Sequence, residues 1–258
     1  MAENKYQVPA LIRANKILDY LSKHEADMAE IMSALGLPKS TVYSLLLTLE
    51  EIGFVRRLPG GQKFTLGFRL FELGTITVSK VSIRDQAISR LQQLSQQEKV
   101  TCHLGALDGN EAVYLLKVDP HDDILINSWE GKRLTLNRSA MGKVLLAWLP
   151  RERQDELIES LEFLPVTPKS FVDKDQFRNH LADVKHQQWA MDDEEDIIGI
   201  RCLAAPIFVP DGSVRYSLSV SSVVQKIGDD RVELLRQRVV ETARNISRAL
   251  GTSEDVWS

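Results

Sequence analysis

The chain has 258 residues, 43% of them hydrophobic and 26% charged, an ordinary globular composition that excludes disorder as a whole-chain property and leaves room for one large domain or two modest ones. Lys and Arg number 32 against 36 Asp and Glu, a formal charge of -4, so the average surface repels a phosphate backbone more than it attracts one. Two widely separated cysteines, Cys102 and Cys202, are too few for a disulfide framework or a four-thiolate zinc site and point to a reducing cytosol. No stretch approaches the roughly 18 apolar residues of a membrane span. The N-terminus has no basic start leading into an apolar core. The expectation is a cytoplasmic protein without a membrane partner.

The charge is unevenly spread. Residues 1–80 carry 10 Lys/Arg and 8 Asp/Glu, whereas residues 81–258 carry 22 and 28, an asymmetry that suggests different partners for the two segments.

In the first segment Ala14, Ile17, Leu18 and Leu21 recur at helical spacing, predicting a helix over 11–23. Asp27 followed by Glu30 is a capping-box pattern opening a second, short helix with Ile31, Met32 and Leu35 inside, stopped by Gly36. Pro38 suits the first turn of a third helix, whose stripe is Val42, Leu45, Leu46, Leu49 and Ile52. Residues 54–58 and 63–66 then predict a hairpin around Pro59, Gly60, Gly61 and Gln62. Three helices and a hairpin make a winged helix-turn-helix.

A helical connector is expected over 67–81 and a long helix over 83–97. Strands follow over 101–107, 112–118 and 124–129. Helices are predicted over 140–148, 151–161 and 175–187, strands over 201–209 and 214–222, and a closing helix over 230–250. Strands and helices in grouped order predict an α+β domain on one antiparallel sheet.

The second helix of such a motif enters the major groove of double-stranded DNA. Its outward face here carries Lys39, Ser40, Thr41, Tyr43, Ser44 and Thr48, while Arg56, Arg57 and Lys63 flank the hairpin tip and Arg13 stands near the start of the first helix. The same pattern would also serve as a packing or assembly module.

In the second segment Ser139, Ala140, Met141 and Gly142 precede a helix, so small side chains leave backbone N–H groups open to a carboxylate or phosphate. A tightly packed loop has the same composition, and the residues alone leave the two open. Ser217, Ser219 and Ser221 share one face of a strand, against which water or a polar ligand must lie. The run Asp192, Asp193, Glu194, Glu195 and Asp196 is expected to be a solvated loop.

An enzyme would use Cys202 with a histidine such as His103 or His121, but no catalytic signature surrounds Cys202, and Leu203, Ala204 and Ala205 favour a buried, unreactive thiol. The histidines lack paired metal-ligand spacing apart from a loose His121-Asp122-Asp123 cluster. No metal, cofactor or catalytic residue is expected.

The stretches LGLPKSTVYSLLLTLEEIGFV (35–55), KFTLGFRLFELG (63–74), SAMGKVLLAW (139–148) and AMDDEEDIIGIRCLAAPIF (190–208) resemble the IclR family of bacterial transcriptional regulators, and the resemblance runs from about Val8 to Gly251. It implies a winged helix-turn-helix DNA-binding domain over 1–66, a helical linker over 67–82 and a GAF-like α/β effector-binding domain over 83–258.

Carried over position by position, the backbone of Ala140 and Met141 would hold an effector carboxylate. Asp192, Cys202, Ser219 and Ser221 would supply polar contacts, and Ile126, Leu134 and Ile200 an apolar wall. The family usually has Arg where this chain has Ser44, Gly or Ala at Gln188, and Asp or Asn at Val209; the last two imply altered turns. The stretch TCHLGALDGNEAVYLLKV (101–118) is similar to the branch controlling pectin-derived and other sugar-acid catabolism. The resemblance thus implies a repressor acting as a homodimer or homotetramer on a partly palindromic operator, with a small organic acid or sugar acid as effector. The different-class alternative is a small-molecule-binding protein or enzyme whose helical head mediates assembly only.

Overall fold

In the computed structural model, which describes residues 8–79, 83–121 and 126–257, the fixed φ of Pro9 opens α1 (Pro9–Leu21) two residues before the predicted start at residue 11. The chain forms two units, Met1–Val81 and Ser82–Ser258.

In the first unit Asp27 accepts a hydrogen bond from the Glu30 backbone while Glu30 reaches back to the Asp27 N–H, closing the capping box of α2 (Met28–Leu35). Gly36 then takes the left-handed conformation (φ 61°) that ends it. Pro38 caps α3 (Lys39–Glu51), whose buried side is Val42, Leu46 and Leu49. These pack with Ile17, Leu21, Ile31, Val55 and Phe64 in one small core.

The hairpin is present as β2 (Val55–Arg57) and β3 (Lys63–Leu66). An unforeseen two-residue strand, β1 (Ala26–Asp27), adds to β3, giving the order β1-β3-β2. The connector is α4 (Phe68–Ser79); positions 80 and 81 of the predicted helix lie outside the described residues.

The second unit is built on a six-stranded antiparallel sheet of order β6-β5-β4-β9-β8-β7. The strands are β4 (Thr101–Asp108), β5 (Glu111–Val118), β6 (Arg133–Leu134), β7 (Ala190–Asp193), β8 (Ile200–Phe208) and β9 (Val214–Val223). Helices α5 (Ile83–Glu98) and α9 (Asp229–Ala249) pack together over one face. Helix α6 (Ala140–Ala147) crosses the other, backed by α8 (Lys174–Gln187) and flanked by α7 (Arg151–Ser160). Strand alternation divides the core: Cys102, Leu104, Leu203, Leu218 and Val220 face α5 and α9, whereas Ala112, Tyr114, Ala190, Ala204 and Cys202 pack with α6.

Two expectations are corrected. Residues 124 and 125 of the predicted third strand lie outside the described residues, and 126–129 form no strand. The Ser128 N–H bonds the Ile126 carbonyl at 2.8 Å, a two-residue-back bond that bends the chain out of the extended conformation. Pairing with β5 passes instead to β6. The acidic run is no solvated loop: Asp192 and Asp193 end β7, and Asp192 and Glu195 are buried.

Gln188 ends α8 with φ 63°, a left-handed position that glycine occupies at lower cost. Val209 lies at the β8–β9 turn, bonded through its backbone to Ser213 and Gly212.

Candidate nucleic-acid interface and effector pocket

In the first unit Lys39, Ser40, Tyr43 and Ser44 are exposed on α3, Thr41 half-buried beside them, and Arg13 exposed on α1. Lys39 begins α3, where the first backbone N–H groups have no intrahelical acceptor. The Ser44 hydroxyl donates to the Thr41 carbonyl at 3.2 Å and keeps its lone pairs free for a donor.

Strand alternation separates the two wing arginines. Arg57 lies over the Phe64 ring, 4.7 Å from its centroid, and its guanidinium donates to Glu50 at 2.9 Å and to the Gly61 carbonyl at 3.2 Å, so it braces the wing against α3. Arg56 points the other way, over the Phe68 ring. Lys63 is exposed at the start of β3.

In the second unit the close approach of α6 to the sheet depends on two glycines. A Cβ at Gly105 of β4 would stand 2.2 Å from the Met141 sulfur, and one at Gly142 would stand 2.5 Å from the Leu136 backbone. With hydrogen only at both positions, the first turn of α6 settles onto the strands. Ser139 caps the helix by accepting the Gly142 N–H at 3.1 Å. Ala140 and Met141, both 1% exposed, stand in the first turn of α6, where backbone N–H groups have no intrahelical acceptor.

Register assembles the floor beneath them. Asp192, Cys202, Ser221 and Thr101 are successive cross-strand partners on β7, β8, β9 and β4, and so share one face; Ala190, Ala204, Ser219 and His103 form the next row. Ser221 donates to the Cys202 sulfur at 3.1 Å. Burial pushes the Cys202 thiol up, so it stays protonated, and pushes the Asp192 carboxyl up to about 7 despite the hydrogen bond it accepts from the Glu195 N–H at 2.8 Å. Ile200 is on the same side of β8 as Cys202, two residues before it. Leu134 packs at the edge of the α6 core. Half-buried Ile126 accepts from Lys117 Nζ through its carbonyl at 3.1 Å.

Each remaining acid of the run has a cationic partner: Asp193 with Arg201 and Lys169, Glu194 with Lys169, Glu195 with Lys143, and Asp196 with Arg138. The Lys143–Glu195 pair is buried. Lys143 Nζ lies 2.5 Å from Glu195 and 2.7 Å from the Met191 carbonyl, and burial draws both partners toward their neutral forms. The sequence does not point to Lys143 at the site, and it offers His103 there only as the partner of Cys202 in the enzyme reading. An alternating strand does signal that His103 shares a face with Gly105, but only register shows that this face is the floor.

Among the described residues no group of three or more His, Cys, Asp and Glu is arranged to hold a metal ion. Asp122 and Asp123 of the loose cluster lie outside the described residues; His121 bonds Gln96 at 2.8 Å. No helix among the described residues is long and apolar enough to cross a membrane.

Comparison with known proteins agrees with this architecture. Residues 10–59 match the IclR helix-turn-helix domain, and residues 75–248 match the bacterial transcriptional regulator IclR C-terminal domain. The HTH-type transcriptional regulator RhmR of Escherichia coli is 38% identical over 246 residues, covering 95% of this chain and 94% of the relative. The regulator KdgR of the same organism is 31% identical over 245 residues, 95% and 93% of the two chains. The crystal structure of Thermotoga maritima IclR superimposes with a TM-score of 0.80 at 31% identity, over 95% of this chain and 100% of that one. A helix-turn-helix head and an α/β domain, each matched in chain order, place this chain in the IclR family of bacterial transcriptional regulators.

Proposed function

We propose that this regulator is a cytoplasmic repressor of a sugar-acid catabolic operon, that it binds its operator as a homodimer or homotetramer, and that a carboxylate effector in the second unit alters that binding. The observation that carries the reading is the first turn of α6, whose free N–H groups at Ala140 and Met141 lie over a floor of hydroxyl, thiol and carboxyl groups. The helix N-terminus suits a carboxylate. Asp192, Cys202, Ser219 and Ser221 suit the hydroxyls of a sugar acid, and Ile126, Leu134 and Ile200 its carbon chain. The protonated Cys202 thiol bonds to Ser221 rather than to a histidine, which supports a binding wall over a nucleophile and a regulator over an enzyme.

On the first unit Lys39, Ser40, Thr41, Tyr43 and Ser44 would read the major groove, with Arg13, Arg56, Arg57 and Lys63 on phosphates. Exposed Leu11, Ile12, Phe68 and Phe71 supply apolar surface that a second copy would cover. A thermal-shift screen of organic and sugar acids on the full chain tests the effector assignment, since a ligand bound only by the native state raises its midpoint. Operator binding tests the head. Lys39→Ala with Arg56→Ala should weaken it and lower the salt slope by about one per lost phosphate contact in each head. An unchanged slope would assign these cations elsewhere, and turnover without DNA would favour the assembly-head alternative.

A further inference from the structure

The outward face of α3 is short of the groups that read hydrogen-bond patterns. Its 13 residues include no Arg, His, Asn or Gln. Neither guanine nor adenine therefore meets the two-pronged partner that Arg offers the first and Asn or Gln the second. Lys39, the helix's one cation, stands at its first position. Two of the exposed hydroxyls are turned back on the helix: Ser44 Oγ donates to the Thr41 carbonyl at 3.2 Å and Thr48 Oγ1 to the Ser44 carbonyl at 3.0 Å. Their protons are committed there, which leaves Ser40, Thr41 and Tyr43 to supply hydroxyl protons to a ligand.

What the face exposes instead is carbon. Tyr43 is 54% and Leu47 42% exposed, one helical turn apart on the same side of α3. Both line a cleft of about 360 Å³, a lining they share with Met28 and Ala29 of α2 and Phe64 of the wing. Lys39 and Ser40 border Tyr43 in an adjoining depression, so the apolar patch is continuous with the part of the face that carries the cation. A single exposed leucine is unremarked on most proteins, but this one continues through an aromatic ring into a cleft, and such patches mark contact surfaces. Phosphates and the nitrogen and oxygen atoms of base edges offer such a surface nothing. The carbon group that the major groove presents is the C5-methyl of thymine.

Resting on the reading that α3 enters the major groove, we infer that Leu47 and the Tyr43 ring are specificity-determining residues that recognise thymine in each operator half-site by its 5-methyl group. Leu47 belongs to none of the DNA contacts assigned above. Seating the methyl against the two side chains removes apolar surface of both partners from water. Deoxyuridine keeps the O4 acceptor of thymine and lacks the methyl, so it leaves the patch wet; cytosine does the same with an amino group in place of the carbonyl. Tyr43 and Leu47 are separated by about 6 Å of helical rise, roughly two base-pair steps of about 3.4 Å. The methyl groups they touch therefore lie within two steps of each other.

The test uses the full chain and the duplex it selects from a random-sequence pool, so that the probe is defined by the protein itself. Each thymine of the selected site is replaced singly by deoxyuridine, and affinity is read by fluorescence anisotropy at constant salt. The expected result is a loss of about fourfold, that of one buried methyl group, at positions within two steps of one another in each half-site. Exchanging such a T·A pair for C·G should weaken binding, and 5-methylcytosine in that place should restore about fourfold. Leu47→Ala and Tyr43→Ala should each bring the thymine-to-uracil ratio close to one at a position where the wild type discriminates. Leu47→Ala should keep the wild-type salt slope, because no cation is lost. The uracil series alters only the DNA, so it stands whether or not either variant folds. A selected site without thymine, wild-type binding indifferent to uracil at every position, or discrimination that survives both folded variants would overturn the methyl reading alone and leave the DNA-binding head standing. A chain that enriches no sequence from the pool removes the groove reading with it.

Discussion

The buried Lys143–Glu195 pair makes a strong quantitative prediction. Lys143 is fully buried and the Glu195 side chain 8% exposed, so neither charge is hydrated and each depends on the other. Their attraction at contact is about 4 kcal/mol at an effective dielectric near 20, and removing one partner of such a pair typically costs about 3–5 kcal/mol because the survivor is left unpaired. Lys143→Met keeps the volume and strands Glu195, whose second carboxylate oxygen already has no partner among the described residues. Glu195→Gln strands Lys143 against the Met191 carbonyl and the Phe171 ring. Each single variant should lose about 3 kcal/mol, a fall of about 10 °C in a unit of this size. The double variant should lose at least 2 kcal/mol less than the sum. All four tryptophans, Trp129, Trp148, Trp189 and Trp257, lie in the second unit, so their fluorescence in urea follows that unit alone. Single variants costing under about 1 kcal/mol, or a double variant equal to the sum, would refute the assignment of this pair as mutually dependent.

The cap of α8 offers a gain: Gln188→Gly should stabilise the second unit by about 0.5–1 kcal/mol, read as a shifted urea midpoint at unchanged slope, because φ 63° costs a side chain that glycine lacks. Asp192 sets a pH dependence. Its carboxyl is raised to about 7, so the native state holds that proton more tightly than the unfolded chain does; this contribution is full below about pH 4 and is lost as pH rises through about 7, roughly 4 kcal/mol in all. Asp192→Asn should flatten the stability profile across that window, and an unaltered profile would place the titration on another group. In the first unit Asp27→Ala should cost about 1 kcal/mol by circular dichroism through loss of the α2 capping box, while leaving the tryptophan transition in place.

What was legible in the sequence was local. The capping box at Asp27 and Glu30, the stop at Gly36 and the stripes of α1 and α3 each depend on residues within a turn or two of one another, and all are present except at the end of the α3 stripe, where Ile52 caps the helix and is exposed. Strand β7 was hidden because Asp is a poor strand former, and its place follows from pairing Asp192 with Cys202 across the sheet. The strand expected over 124–129 failed at 126–129 for the converse reason: an apolar run without a partner to pair with, bent by its own backbone bond. Resemblance grouped Asp192, Cys202, Ser219 and Ser221 as candidates, and the register sets them on one face of neighbouring strands. The proximity of His103 to Ser219, a hundred-odd positions on, is a property of register, which no local pattern encodes.

The paired acids of the β7–β8 turn alter how the charge of the second unit is felt from outside. Counted along the chain, the run from Asp192 to Asp196 is five negative charges that an incoming carboxylate would have to approach. In space, four of them are matched by Arg201, Lys169, Lys143 and Arg138, drawn from separate segments, and the fifth holds its proton near neutrality. The long-range field at this turn is therefore close to that of a neutral surface. The turn itself therefore adds little to the ionic-strength dependence with which an anionic ligand arrives.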